Sequence, residues 1–157
     1  MAKITDTEQA RSLSPKWRES LTTGNLSIDR QHRNLLGRID NLVRACIDDR
    51  PKDEVIQLMG FLRGYIQTHF ADEEAFQVMH NSPSFLAHKA QHDALIVRLS
   101  NLERKLDCEG VTMPVVTESL RFTYEWLLEH IYVSDLAMAQ HAKAKPTSLA
   151  LAASAKG

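Results

Sequence analysis

A chain of 157 residues, 43% hydrophobic and 25% charged, has the size and balance of one globular domain with a single buried core. Its formal net charge of −1, with Lys and Arg scattered among Asp and Glu, provides no basic stripe for a phosphate backbone, so nucleic acid is not an expected partner. No apolar run approaches the roughly 20 residues that cross a bilayer, and Met1 to Ala10 is polar rather than a basic segment followed by an apolar one, so a cytoplasmic protein without membrane association is expected.

Residues 1–27 carry no sustained period and are punctuated by Ser14-Pro15 and Thr22-Thr23-Gly24-Asn25, with Trp17 and Leu21 as the clear anchors. They read as an arm packed on the rest. A first helix begins at Ile28, with Ser27 as its expected cap, and its inward positions Ile28, His32, Leu35, Ile39, Leu42 and Cys46 alternate steps of four and three. Asp48 to Arg50 closes it, and Pro51 with Asp53 and Glu54 opens a second helix in keeping with the helix dipole. That helix carries Val55, Leu58, Leu62, Tyr65, His69, Glu73 and Phe76 on one face until Asn81-Ser82-Pro83 stops it. Gly60 and Gly64 lie within it; each costs ~1 kcal/mol against Ala, which either marks a close approach by a neighbour or is merely tolerated.

Ser82 is the expected cap of a third helix, on which Phe85, His88, His92, Leu95, Leu99, Leu102 and Leu106 share a face. Asp107 to Gly110 ends it. Thr112 or Met113 with Pro114 opens a fourth, bearing Val116, Leu120, Thr123, Leu127 and His130. Four amphipathic helices on short connections predict an all-α, antiparallel up-down-up-down four-helix bundle with an N-terminal arm. The expected divisions are an extension over 1–16, the bundle over 17–141, and a low-complexity tail over 142–157. Cys46 and Cys108 lack Cys-x-x-Cys spacing and are expected to be reduced thiols.

Five of the seven histidines, His32, His69, His88, His92 and His130, fall on inward positions distributed over all four helices. Burying so many imidazole nitrogens without partners would cost ~1–3 kcal/mol each, and metal supplies the missing partner. Glu73, four residues after His69, and Asp135 add carboxylates, and seven such groups exceed what one tetrahedral ion takes. Asp135 is awkwardly spaced: five residues after His130 places it ~140° around a regular helix. A local turn with an i to i+5 hydrogen bond would bring it inward, so irregular backbone is predicted there.

The set His32, then His69-Phe70-x-x-Glu73-Glu74, then His88-x-x-x-His92, then Trp126-x-x-x-His130-Ile131-x-x-x-Asp135 resembles the hemerythrins, non-haem dioxygen-binding proteins. The stretch Trp17 to His32, with Thr23-Gly24 and Ile28-Asp29, is similar to the bacterial branch, the bacteriohemerythrins, in particular. The resemblance covers about residues 17–138 and departs from the bacterial pattern at Asn25-Leu26-Ser27, where a more apolar lead-in is usual. It implies two irons, one held by His88, His92 and His130 and the other by His32 and His69, bridged by Glu73, Asp135 and an oxo or hydroxo group. It further implies that dioxygen binds at the open position of the second iron, in an apolar pocket of Leu35, Phe70, Trp126, Leu127 and Ile131.

Neutral imidazoles outnumber carboxylates in this set, and the Glu-x-x-His pairs of carboxylate-rich di-iron bundles are absent from the chain. That donor set agrees with what the resemblance implies, and reversible dioxygen binding, for carriage, storage or scavenging, is the expected function. The alternatives are an oxygen or redox sensor acting through a separate partner, or an oxidoreductase acting on peroxide or nitric oxide. An electron donor or signalling partner is possible in each case, and none is identifiable from the residues. Glu74, following an inward ligand, is expected to face water, as are His80 and His141.

Overall fold

The computed structural model describes residues 16–144, so the proposed extension (but for Lys16) and all but the first three residues of the tail lie outside the described residues. Four helices, α1 (Leu26–Ile47), α2 (Pro51–Met79), α3 (Phe85–Glu109) and α4 (Met113–His130), run antiparallel, each joined to the next by a short connection. Each helix packs on its sequence neighbour, and α4 also returns to α1, closing the bundle. A π-helical turn, Ile131–Asp135, follows α4 and leads into α5, Leu136–Ala144. The described residues contain no strand, and no helix among them is long and apolar enough to cross a membrane.

The stripes foreseen in the sequence form the core: Leu35, Ile39 and Leu42 meet Val55, Leu58 and Leu62, with Leu95, Leu99, Leu102, Val116 and Leu120 completing one continuous cluster. Leu21, in a short 3-10 turn (Glu19–Leu21), plugs into the same cluster and ties the arm down, while the Arg33 guanidinium covers the Trp17 ring at 4.4 Å. A Cβ on Gly60 or Gly64 would meet nothing within 4 Å; these glycines are tolerated and mark no close approach.

Two caps differ from the sequence reading. Asn25, not Ser27, caps α1, its Oδ1 accepting from the N–H groups of Ser27 and Ile28. α3 begins at Phe85, and Ser82 Oγ bonds Ser84 Oγ instead of capping a helix. In both places a second polar residue competes for the turn, and the tertiary path of the chain decides between them.

The entry into α1 is fixed by buried Asp29. Its carboxylate accepts from Thr23 N (2.8 Å), Thr23 Oγ1 (2.8 Å) and Gly24 N (3.2 Å), and the left-handed φ of 87° at Gly24 aims those groups inward. This clasp orients the turn of α1 that carries His32. We expect Asp29→Ala, which strands three donors, to cost on the order of 2–3 kcal/mol in urea denaturation, against about 1 kcal/mol for Asn25→Ala. Equal midpoints for parent and Asp29→Ala would remove the clasp from the account.

Candidate metal centre

Because neighbouring helices are antiparallel, the first turns of α1 and α3 lie level with the last turns of α2 and α4. His32, His69 with Glu73, His88 with His92, and His130 therefore meet at one end of the bundle. All six side chains are buried, between 0 and 3% exposed. Asp135 joins them through the π turn: Leu136 N–H donates to Ile131 O, an i to i+5 bond, and the wider turn takes up the angular surplus that would otherwise point the carboxylate to solvent.

The carboxylates divide their oxygens between two histidine groups. Glu73 Oε1 lies 3.1 Å from His69 Nε2 and 3.7 Å from His32 Nε2, whereas Oε2 lies 3.0 Å from His92, 3.4 Å from His88 and 3.7 Å from His130. Asp135 Oδ2 is 3.0 Å from His32 Nε2, and Oδ1 is 3.2 Å from His88 and 3.1 Å from His130. The imidazoles aim at shared points: His130 Nε2 stands 2.9 Å from His88 Nε2 and 3.1 Å from His92 Nε2.

Such a set fits metal. Adjacent ligands on an octahedral ion at roughly 2.1 Å stand about 3 Å apart, the spacing of those nitrogens. His32 Nε2, His69 Nε2, Glu73 Oε1 and both Asp135 oxygens are buried yet make no aligned hydrogen bond, so their lone pairs are directed at the space between them. Glu73, His88, His92 and His130 form one group of ligand atoms lying within 4.8 Å of one another, and His32, His69, Glu73 and Asp135 form a second.

Without metal, protons balance the charge. Burial opposes protonation of His32 and His88, but Asp135 and then Glu73 overcome it and raise each to about 9; His130 is raised for the same reasons. Burial and Glu73 work against the Asp135 charge, yet His130, His32 and His88 hold it well below the usual carboxylate range. Glu73 is likewise held low against burial, chiefly by His69.

A family model described as the hemerythrin HHE cation binding domain matches residues 23–142. The chain belongs to the hemerythrin family. It is 24% identical over 123 residues to a bacteriohemerythrin of Clostridium acetobutylicum, covering 76% of this chain and 94% of that one. It is 27% identical over 103 residues to a bacteriohemerythrin of Methylococcus capsulatus, covering 66% and 76%. A myohemerythrin of Theromyzon tessulatum is 24% identical over 120 residues, covering 76% and 87%.

Around the centre of this hemerythrin-family chain, Phe70 stacks on His92 with ring centroids 3.6 Å apart, and Trp126 stacks on His130 at 4.5 Å. Leu127 and Ile131 are fully buried. Leu35 and Trp126 also line a narrow apolar cavity with Leu62, Ile66, Leu95 and Leu99, one turn deeper in the bundle; Phe70, Leu127 and Ile131 do not line it. Tyr65, stacked on His69 at 4.5 Å, also lines it, and burial followed by Glu73 and Asp135 raises its pKa and keeps the phenol neutral.

Several polar partners of the imidazoles escaped the sequence reading. Glu74 is half-buried and accepts from His92 Nδ1 at 3.3 Å while pairing with Lys89 at 3.2 Å; it faces water only in part. His69 Nδ1 bonds Gln31 Oε1 at 2.7 Å, and His130 Nδ1 bonds Gln91 Oε1 at 2.9 Å, an oxygen shared with the Ser134 hydroxyl. The usable signal was position: Gln31 and Gln91 immediately precede inward histidines, and Glu74 immediately follows an inward carboxylate. His80 and His141 are also half-buried, tied through His141 Nε2 to His80 O at 3.2 Å.

The folded metal-free protein holds His32 and His88 at about 9 against an ordinary 6.5, so their stabilising contribution is fully present below pH 6.5 and is lost as pH rises through 9. The thermal midpoint of chelator-treated protein is expected to fall over that window, with less change after metal loading. A flat midpoint from pH 6 to 10 would contradict the proton-for-metal balance.

Proposed function

We propose that this chain binds dioxygen reversibly at a centre of two irons. One would be held by His88, His92 and His130 and the other by His32 and His69, with Glu73 and Asp135 bridging them. The observation that carries the reading is the division of each carboxylate's oxygens between the two histidine groups, the arrangement a pair of adjacent ions requires. Ferrous iron bound there would supply the electrons for reversible capture of dioxygen.

The side chains favour binding over turnover. Five imidazoles against two carboxylates make a donor set that suits ferrous iron better than a carboxylate-rich one. Phe70, Trp126, Leu127 and Ile131 pack against or beside the ligands and leave bulk water little access, which slows proton delivery to whatever the centre holds. With two ligands from α1 and α2 against three from α3 and α4, the His32–His69 side is the one with a position to spare. Relatives named hemerythrin and myohemerythrin support dioxygen as the ligand.

Two irons per chain are expected by elemental analysis of protein made with iron present. Adding air to the anaerobically reduced protein should produce a visible charge-transfer band that disappears on removing oxygen. One zinc per chain, or immediate irreversible oxidation with turnover of peroxide or nitric oxide, would end the carrier reading.

Leu127, 1% exposed and one turn before His130, tests the water barrier. Leu127→Ala should oxidise faster after oxygenation while keeping both irons, at a stability cost of about 2–5 kcal/mol. Circular dichroism must first show the variant folded; an iron-loaded, folded variant with the parent's oxidation rate would refute the barrier.

A further inference from the structure

We infer that Asp72 and Gln31 form a relay that sets the tautomer, orientation and donor strength of His69, and through it tunes the metal position with the open site. The inference rests on the di-iron reading above and concerns residues outside the ligand set. His69 Nδ1 lies 2.7 Å from Gln31 Oε1, and Gln31 Nε2 lies 2.6 Å from Asp72 Oδ2.

The chemistry of the three groups fixes the direction of both bonds. An ionised carboxylate only accepts, so the Gln31 amide must turn its NH2 to Asp72 and its carbonyl oxygen to His69. That oxygen can only accept in turn, so His69 must carry a proton on Nδ1. With metal bound, Nε2, 3.1 Å from Glu73 Oε1, is then the ring nitrogen left free of a proton to serve as the donor. Donation to Asp72 also polarises the amide and strengthens its carbonyl as an acceptor. A half-buried glutamine thus carries the influence of an exposed carboxylate to a ring only 1% exposed.

The other histidine group is served differently. His92 bonds the Glu74 carboxylate directly, with Lys89 partly offsetting that charge, and His130 bonds Gln91, whose oxygen is shared with Ser134. Among the Nδ1 partners, a carboxylate acts directly only on the three-histidine side. On the His32–His69 side it acts through a neutral amide, which leaves His69 a weaker electron donor and the iron there easier to keep ferrous.

The test compares the full-length parent with Gln31→Leu, Asp72→Ala and Gln31→Glu. In the zinc-loaded parent, long-range proton–nitrogen NMR should find His69 protonated at Nδ1 and slow to exchange. Gln31→Leu should lose that protected signal and bind the second zinc about 10–100-fold more weakly. Asp72→Ala, an exposed change that leaves the bundle core intact, should move the His69 signal in the same direction by less. Gln31→Glu keeps an acceptor for His69 and should retain both metals, while lowering the midpoint potential of the iron-loaded protein. A parent that never takes two metals would remove the di-iron reading and the relay with it. A parent that takes two, with the His69 signal and second-zinc affinity unchanged in Gln31→Leu and Asp72→Ala, or with the potential unmoved in Gln31→Glu, would overturn the relay alone.

Discussion

Glu73 sits at 0% exposure with the Nε2 atoms of five histidines within 3.0–3.7 Å, and those histidines come from every helix of the bundle. A carboxylate in that position cannot remain charged on its own; it needs compensating positive charge held close and shielded from water. The imidazoles provide the means, as protonated rings or as ligands to metal. Each helix contributes to the compensation, so the centre constrains the relative height of all four: sliding one by a turn would move its histidine roughly 5.4 Å out of reach. Apolar stripes of Leu, Ile and Val would accept several registers. The polar end of the bundle selects one of them.

Asp135 shows what that selection demands of the backbone. An α-helix continued without interruption past His130 would keep its hydrogen bonds regular but send the carboxylate away from the centre. The π turn admits one extra residue, after which α5 resumes with Met138, Ala139 and Ala142 buried. The irregularity is therefore local, and it serves two faces of packing at once. It brings a second carboxylate inward and lets the last helix close over the arm end of the bundle, where Lys143 approaches Gly24.

The stripes, the order of the helices and the inward histidines were legible because periodicity records which face of a helix leaves water. Even the broken register before Asp135 was legible, since its spacing conflicted with the helix on either side. Periodicity is silent about the flank. Gln31, Gln91 and Glu74 lie about 100° around from an inward ligand, at the seam between helices, where a residue reads as polar surface although it touches an imidazole of the neighbouring helix. The cap at Asn25 and the clasp of Asp29 on Thr23 and Gly24 were hidden for a related reason: several polar residues in one short stretch can each satisfy the same backbone groups.

The seam positions also separate two kinds of change. Replacing one of the inward histidines or carboxylates leaves other buried polar groups unmatched, so the fold and any affinity for metal would be disturbed together. A seam residue is half in solvent and contributes little to the apolar core; changing it alters the charge and hydrogen bonding that an imidazole feels while the bundle packs as before. Two chains with the same seven inward side chains can thus differ in how strongly their imidazoles would donate to a bound metal. The difference would be written in the residues beside the ligands: a carboxylate next to Glu73 facing His92, and an amide next to His32 facing His69.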